Sequence, residues 1–147
     1  MFNNMDFLRD DEICLRLYRT TGADRIRDFA PSFAFKICSL KTGEEMGECD
    51  LRIGHNENLY YGGNIGYHIF RNYQGNHYAG KACRLLFKLA RVHNLEYVII
   101  TCNPDNLASR KTCEYVGCMF ERIVDLPPWN DMYIEGERQK CIYRYDL

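Results

Sequence analysis

The stretch Gln74-Gly75-Asn76-His77-Tyr78-Ala79-Gly80-Lys81 decides the fold, because it stands where a strand hands over to a helix. Before it, Gly66 to Phe70 reads as an apolar strand. After it, Ala79, Ala82, Cys83, Leu86 and Ala90 recur at helical spacing, and Leu85, Leu89 and Val92 widen that stripe towards His93. A glycine-bearing loop that opens a helix presents unpaired backbone N–H groups and the positive end of the helix dipole. Together these bind a phosphate or another anion.

Working outward, Glu12 to Arg19 alternates apolar and polar positions as a half-buried strand does, and the polar residues 22–30 read as a short helix or a loop. Phe33 to Leu40 and Met46 to Ile53 form a hairpin around Lys41-Thr42-Gly43-Glu44, and a third strand runs from Tyr60 or Asn64 to Phe70. Downstream of the helix, Tyr97 to Thr101 is short and strongly apolar, as in a buried parallel strand. Asn103-Pro104-Asp105-Asn106 opens a second helix to about Val116, closed by Gly117. Cys118 to Val124 and Arg138 to Tyr145 are the last strands, joined by a long loop that contains Pro127, Pro128 and Trp129. Hairpins followed by β-α-β-α-β predict a mixed α/β fold.

The 147 residues suit one domain over 1–147, long enough to bury a core without disulfides or a metal. With 19 basic against 20 acidic side chains, general attraction to nucleic acid or to an anionic membrane is not expected. The eight cysteines contain no C-x-x-C pair and lie within apolar patterns, so they read as small hydrophobes in a reducing cytoplasm rather than as a zinc site or disulfide framework. Neither a signal-peptide pattern nor an apolar run of membrane-spanning length is present. A cytoplasmic domain without metal, nucleic-acid or membrane partner is the expectation, and monomer or homodimer stays open.

Two phosphate ligands compete for the loop. Gly75 to Ala82 comes within one residue of the nucleotide-binding G-x-x-x-x-G-K-[ST] pattern. That pattern needs a hydroxyl for magnesium where this chain has Ala82, and an acidic residue after a neighbouring strand, whereas Val98 to Thr101 ends without one. The other reading joins two segments. Gln74-Gly75-Asn76-His77-Tyr78-Ala79 resembles the Q/R-x-x-G-x-G/A loop of the GNAT superfamily of acyl-CoA-dependent N-acyltransferases, and Asn106 to Gly117, with Ser109 three residues after the Asn, resembles its second motif. The resemblance is firm over residues 64–124, and the wording from Ser109 to Gly117 is similar to the branch that includes ribosomal-protein N-terminal acetyltransferases.

This resemblance implies a mostly antiparallel sheet with a central splayed parallel strand pair and helices on both faces. It implies acetyl-CoA as co-substrate and an amine acceptor, attacked directly through a tetrahedral intermediate. The pantetheine arm would lie along Tyr67, His68 and Ile69, with the pyrophosphate on the backbone of Gln74, Gly75, Asn76, His77, Tyr78, Ala79 and Gly80. Asn106 would contact the arm, Ser109 or Arg110 would reach further along it, and Lys81 and Arg84 are placed to face the 3′-phosphate or solvent.

Amide formation from a thioester needs a neutral amine, a stabilised oxyanion and a proton for the departing thiolate. The chain departs from the family where many members carry an acidic Tyr: it has Cys113, whose thiol would be either the acid or packing. Tyr115 is turned roughly 200° from it on the helix. His77 replaces a loop glycine, a poor fit if that position takes φ > 0, unless its ring bonds the cofactor. His68 is the candidate base, with Glu48 and Asp50 as carboxylate alternatives, while Trp129 and Tyr133 are candidates to wall the acceptor pocket. The alternative function is a non-catalytic acyl-CoA-binding or regulatory module.

Overall fold

Alternating apolar residues in the first half of the chain build an antiparallel meander in the computed structural model, which describes residues 5–23 and 30–147. Strands β1 (Ile13–Thr21), β2 (Ser32–Ser39), β3 (Glu45–Arg52) and β4 (Ile65–Ile69) pair in that order. The second half supplies β5 (Tyr97–Cys102), β6 (Met119–Asp125) and β7 (Gln139–Asp146), ordered β5-β7-β6 and again antiparallel. The helices are α1 (Glu57–Gly62), α2 (Tyr78–Val92), α3 (Leu107–Tyr115) and α4 (Asp131–Ile134). The expected segment over residues 22–30 lies largely outside the described residues, which omit 24–29.

Helix α2 spans 15 residues and carries the predicted stripe, with Ala82, Cys83, Leu85, Leu86, Leu89 and Ala90 buried against the meander. Burying each large aliphatic side chain is worth about 1.5–3 kcal/mol relative to leaving it exposed, so this face anchors the fold. Val92 does not widen the stripe as expected. It sits in the last turn of the helix and is 63% exposed.

A second correction concerns Tyr60, which is not in a strand. Asn56 caps a short helix by accepting from Leu59 N at 2.8 Å, and Glu57 sits favourably in the first turn. Gly63 ends the helix at φ +83°, and a Cβ there would meet Ile99 O at 3.1 Å and Thr101 N at 3.2 Å, so only glycine fits. Strand β4 therefore starts at Ile65.

The two sheets meet through Asn64, which is fully buried. Its backbone N–H donates to Ile99 O (2.6 Å), and its Oδ1 accepts from Ile99 N (2.9 Å). Its Nδ2 donates to Arg52 O (3.0 Å) and Gly54 O (2.8 Å). One side chain thus bonds both sheets. Beyond it β4 and β5 carry their C-terminal residues, Ile69 and Cys102, into one cleft, so the two strands run in the same sense while pairing in separate sheets.

Candidate active site

The diverging ends of β4 and β5 open a cleft of about 580 Å³. The floor carries Tyr67, His68 and Ile69, one wall carries Gln74, Gly75, His77, Tyr78, Ala79 and Gly80, and α3 contributes Asn106 and Ser109. Of the residues expected along the pantetheine arm and the pyrophosphate, Asn76 alone is outside the lining, and Lys81, Arg84 and Arg110 are outside it too. The Asn76 amide turns back and donates to Tyr73 O at 3.1 Å.

The loop geometry settles how a histidine replaces glycine. His77 stands before α2 at φ +62° and ψ 20°, the left-handed region, so the position does take a positive φ. Its ring stacks on Tyr115 with centroids 4.2 Å apart and planes 9° apart. The side chain makes no capping bond to the helix, which leaves the first N–H groups of α2 available to a ligand. Gln74 ties the loop to the end of β4 through Nε2 to Ile69 O, at 3.0 Å. Gly80 is needed for a different reason, since a Cβ would sit 2.5 Å from the Tyr115 ring. The Arg84 guanidinium lies 4.6 Å from that ring's centroid and donates to Tyr115 O at 3.1 Å. Loop, α2 and α3 are therefore locked together around Tyr115.

Lys81, the residue that most suggested a nucleotide loop, faces elsewhere. Its Nζ lies 3.5 Å from Asp10, 3.1 Å from Asp11 and 3.0 Å from Glu12, and this trio raises its pKa, the Glu12 contact foremost. Arg110 also points away from the cleft, donating from Nε to Tyr143 OH at 3.0 Å.

Asn106 caps α3 by accepting from Ser109 N at 3.1 Å. Ser109 Oγ lies 2.6 Å from Tyr67 OH, a bond that spans the cleft from α3 to β4. Burial raises the Tyr67 pKa far enough to keep the phenol protonated. Cys113 lies beneath this pair and is not brought to the cleft: it is fully buried in the core. A hydrogen bond with the Cys118 thiol, and burial after it, raise its pKa strongly. Its position gives no support to a role as acid.

His68 is exposed at the cleft and stands directly opposite Glu48 in the β3–β4 register. Glu48 is bonded by Lys36 Nζ at 2.9 Å and Tyr18 OH at 3.0 Å, which lower its pKa in that order. Asp50 accepts from Arg52 Nε at 2.9 Å, and burial raises its pKa against that pairing. Neither carboxylate lines the cleft.

Sequence reasoning missed Lys140. Only 7% of it is exposed, it lines the cleft from β7, and its Nζ donates to Asn103 Oδ1 (2.7 Å) and Glu137 Oε1 (2.6 Å). A lysine opening the apolar run Cys141-Ile142-Tyr143 was the available signal. Trp129 and Tyr133 do not wall the cleft. Trp129 packs edge-on to Tyr61 and Tyr133 lies under Arg138, so the final loop contributes Met132 instead. Among the described residues the lining includes Lys111, Lys140, His68 and His77 but no carboxylate. No group of three His, Cys, Asp or Glu residues among them is placed to hold a metal, and the eight thiols are free.

The family described as acetyltransferase (GNAT) domain matches residues 7–119. No curated protein matches. Among solved structures, the microcin C7 self-immunity acetyltransferase MccE, in complex with acetyl-CoA and AMP, is similar at 19% identity and TM-score 0.62 over 79% of this chain and 61% of that one. A GNAT-family acetyltransferase from Bacillus anthracis is similar at 19% identity and TM-score 0.62, over 77% and 65%. The ribosomal-protein-S5-alanine acetyltransferase from Vibrio fischeri is similar at 19% identity and TM-score 0.62, over 78% and 61%. The chain thus spans less than two thirds of the length of these structures.

Proposed function

The chain belongs to the GNAT acetyltransferase family, and from that premise we propose that it transfers an acetyl group from acetyl-CoA to a primary amine of a small molecule or peptide. The observation that carries this reading is a cleft lined by no carboxylate among the described residues, with a helix N-terminus lacking a side-chain cap in its wall, which suits a ligand bearing a pyrophosphate. The N–H groups of Gly75 to Gly80 would hold that pyrophosphate. The edge of β4, parted from β5 beyond Asn64, leaves backbone groups free to pair with an extended amide-bearing arm.

The bound co-substrate supplies an activated acyl carbon. The chain's own task is to align an amine with it and to move protons. His68 is the proposed base. It has the required side chain, is exposed at the cleft, and stands opposite Glu48 in the β3–β4 register. A backbone N–H of β4 would polarise the carbonyl, so no particular side chain is needed for that step. The hydroxyls of Ser109 and Tyr67 line the cleft and bond to each other across it, and we assign them the hydrogen bond to the departing sulfur in place of Cys113.

Thermal shift with acetyl-CoA and with ATP–Mg²⁺ tests the ligand, and only acetyl-CoA should stabilise the protein. Release of free CoA across an amine panel then tests turnover. Tight acetyl-CoA binding with no release for any amine would identify a binding module instead.

A further inference from the structure

Lys140 is a buried cation that the proposed chemistry does not use. It lies on the wall formed by β5 and β7, across the cleft from β4 and α2, where Cys141 pairs with Cys102. The wall bearing the anion-holding loop is therefore not the one bearing Lys140. Two of its contacts, Asn103 Oδ1 and Glu137 Oε1, hold the ammonium in place, and an ammonium has three N–H donors. Glu137 does not line the cleft whereas Lys140 does, so the pair presents its positive end to a ligand. With no carboxylate among the described lining residues, a cationic acceptor such as a polyamine would find no counter-charge there.

We propose that Lys140 selects the acceptor: the amine that receives the acetyl group bears a carboxylate close to it, and that carboxylate accepts a hydrogen bond from the Lys140 ammonium. This rests on the transferase reading above. Two sources share the chemistry, a free amino acid and a peptide with an acidic residue next to its N-terminus.

The test measures kcat/KM for CoA release with matched acceptors. One arm compares alanine with alaninamide, ethylamine and spermidine. The other compares short peptides carrying Asp or Glu at the second position with their Asn or Gln counterparts. In at least one arm the carboxylate-bearing acceptor should be favoured about tenfold or more, in keeping with a charge-assisted contact. Lys140→Met should shrink that ratio to within about twofold, and Lys140→Arg should retain most of it. Acetyl-CoA affinity should stay within about threefold in both variants, as expected for a group that holds the acceptor alone.

Equal rates across both arms, or a preference for spermidine, would overturn the inference while leaving the transferase reading intact. A ratio that survives Lys140→Met, or a variant that loses acetyl-CoA binding, would overturn it too. If Lys140→Met does not fold, the wild-type ratios and Lys140→Arg still decide. Acetyl-CoA binding without release for any amine would overturn the transferase reading and this inference with it.

Discussion

His68, the candidate base, and Cys113, the candidate acid, are separated by their surroundings. Replacing His68 by Gln should lower kcat about 10²-fold, within the range for losing a general base, with acetyl-CoA affinity unchanged. The pH–rate profile should lose the limb that histidine provides, and an unaltered profile would exclude it as base. Cys113→Ala should leave kcat within about twofold and lower stability by about 1 kcal/mol, because it removes one buried atom from a packed core. Glu48 carries a sign that can be checked. Its pKa is held below 4.5 in the folded state, so its contribution to stability is present above its unfolded value and is lost as pH falls through the folded one. Urea midpoints of wild type and Glu48→Gln should therefore differ at pH 7 and converge in acid. None of these assignments follows from residue type alone. Helix spacing puts Ser109 and Cys113 on one face, but whether that face meets a cleft or a core depends on strands far away in sequence. The contact of Lys140 with Asn103 was illegible for the same reason, since the two meet only after β5 and β7 pair.

At the scale of elements, the contact between α2 and α3 around Tyr115 ties cofactor loop and motif helix into one part. Gly80→Ala should displace the Tyr115 ring, destabilising the protein by about 1–3 kcal/mol, as overpacking does, and should weaken acetyl-CoA binding measurably in a titration. His77→Gly has opposing consequences, relief of a left-handed backbone and loss of a stacked ring, so its stability should stay within about 1 kcal/mol of wild type. Helices α2 and α3 were legible because a 3.6-residue period and an Asn cap are local signals. Helix α1 was not. Its six residues include Tyr60 and Tyr61, aromatic types that favour strands, and the decisive signals were the Asn56 cap and the glycine at 63.

At the scale of the whole molecule, Asn64 sets where the two sheets join and hence where they part. Asn64→Leu would leave Ile99 N–H, Arg52 O and Gly54 O without their side-chain partner, a loss of about 3 kcal/mol measurable by urea denaturation. The mixed α/β fold was readable from the order of elements, and its mostly antiparallel sheet from the family resemblance, whereas this junction was not, because a single Asn before a strand resembles any other loop residue. Each sheet is also drawn from one uninterrupted run of chain, β1 to β4 first and β5 to β7 later, with α2 between them. Pairing within each run is sequence-local and so relatively fast. During synthesis the meander has all its strands before the second sheet leaves the ribosome, and it waits only for α2 to cover its apolar face. The cleft therefore comes into being last, at the moment the later half docks onto the earlier one.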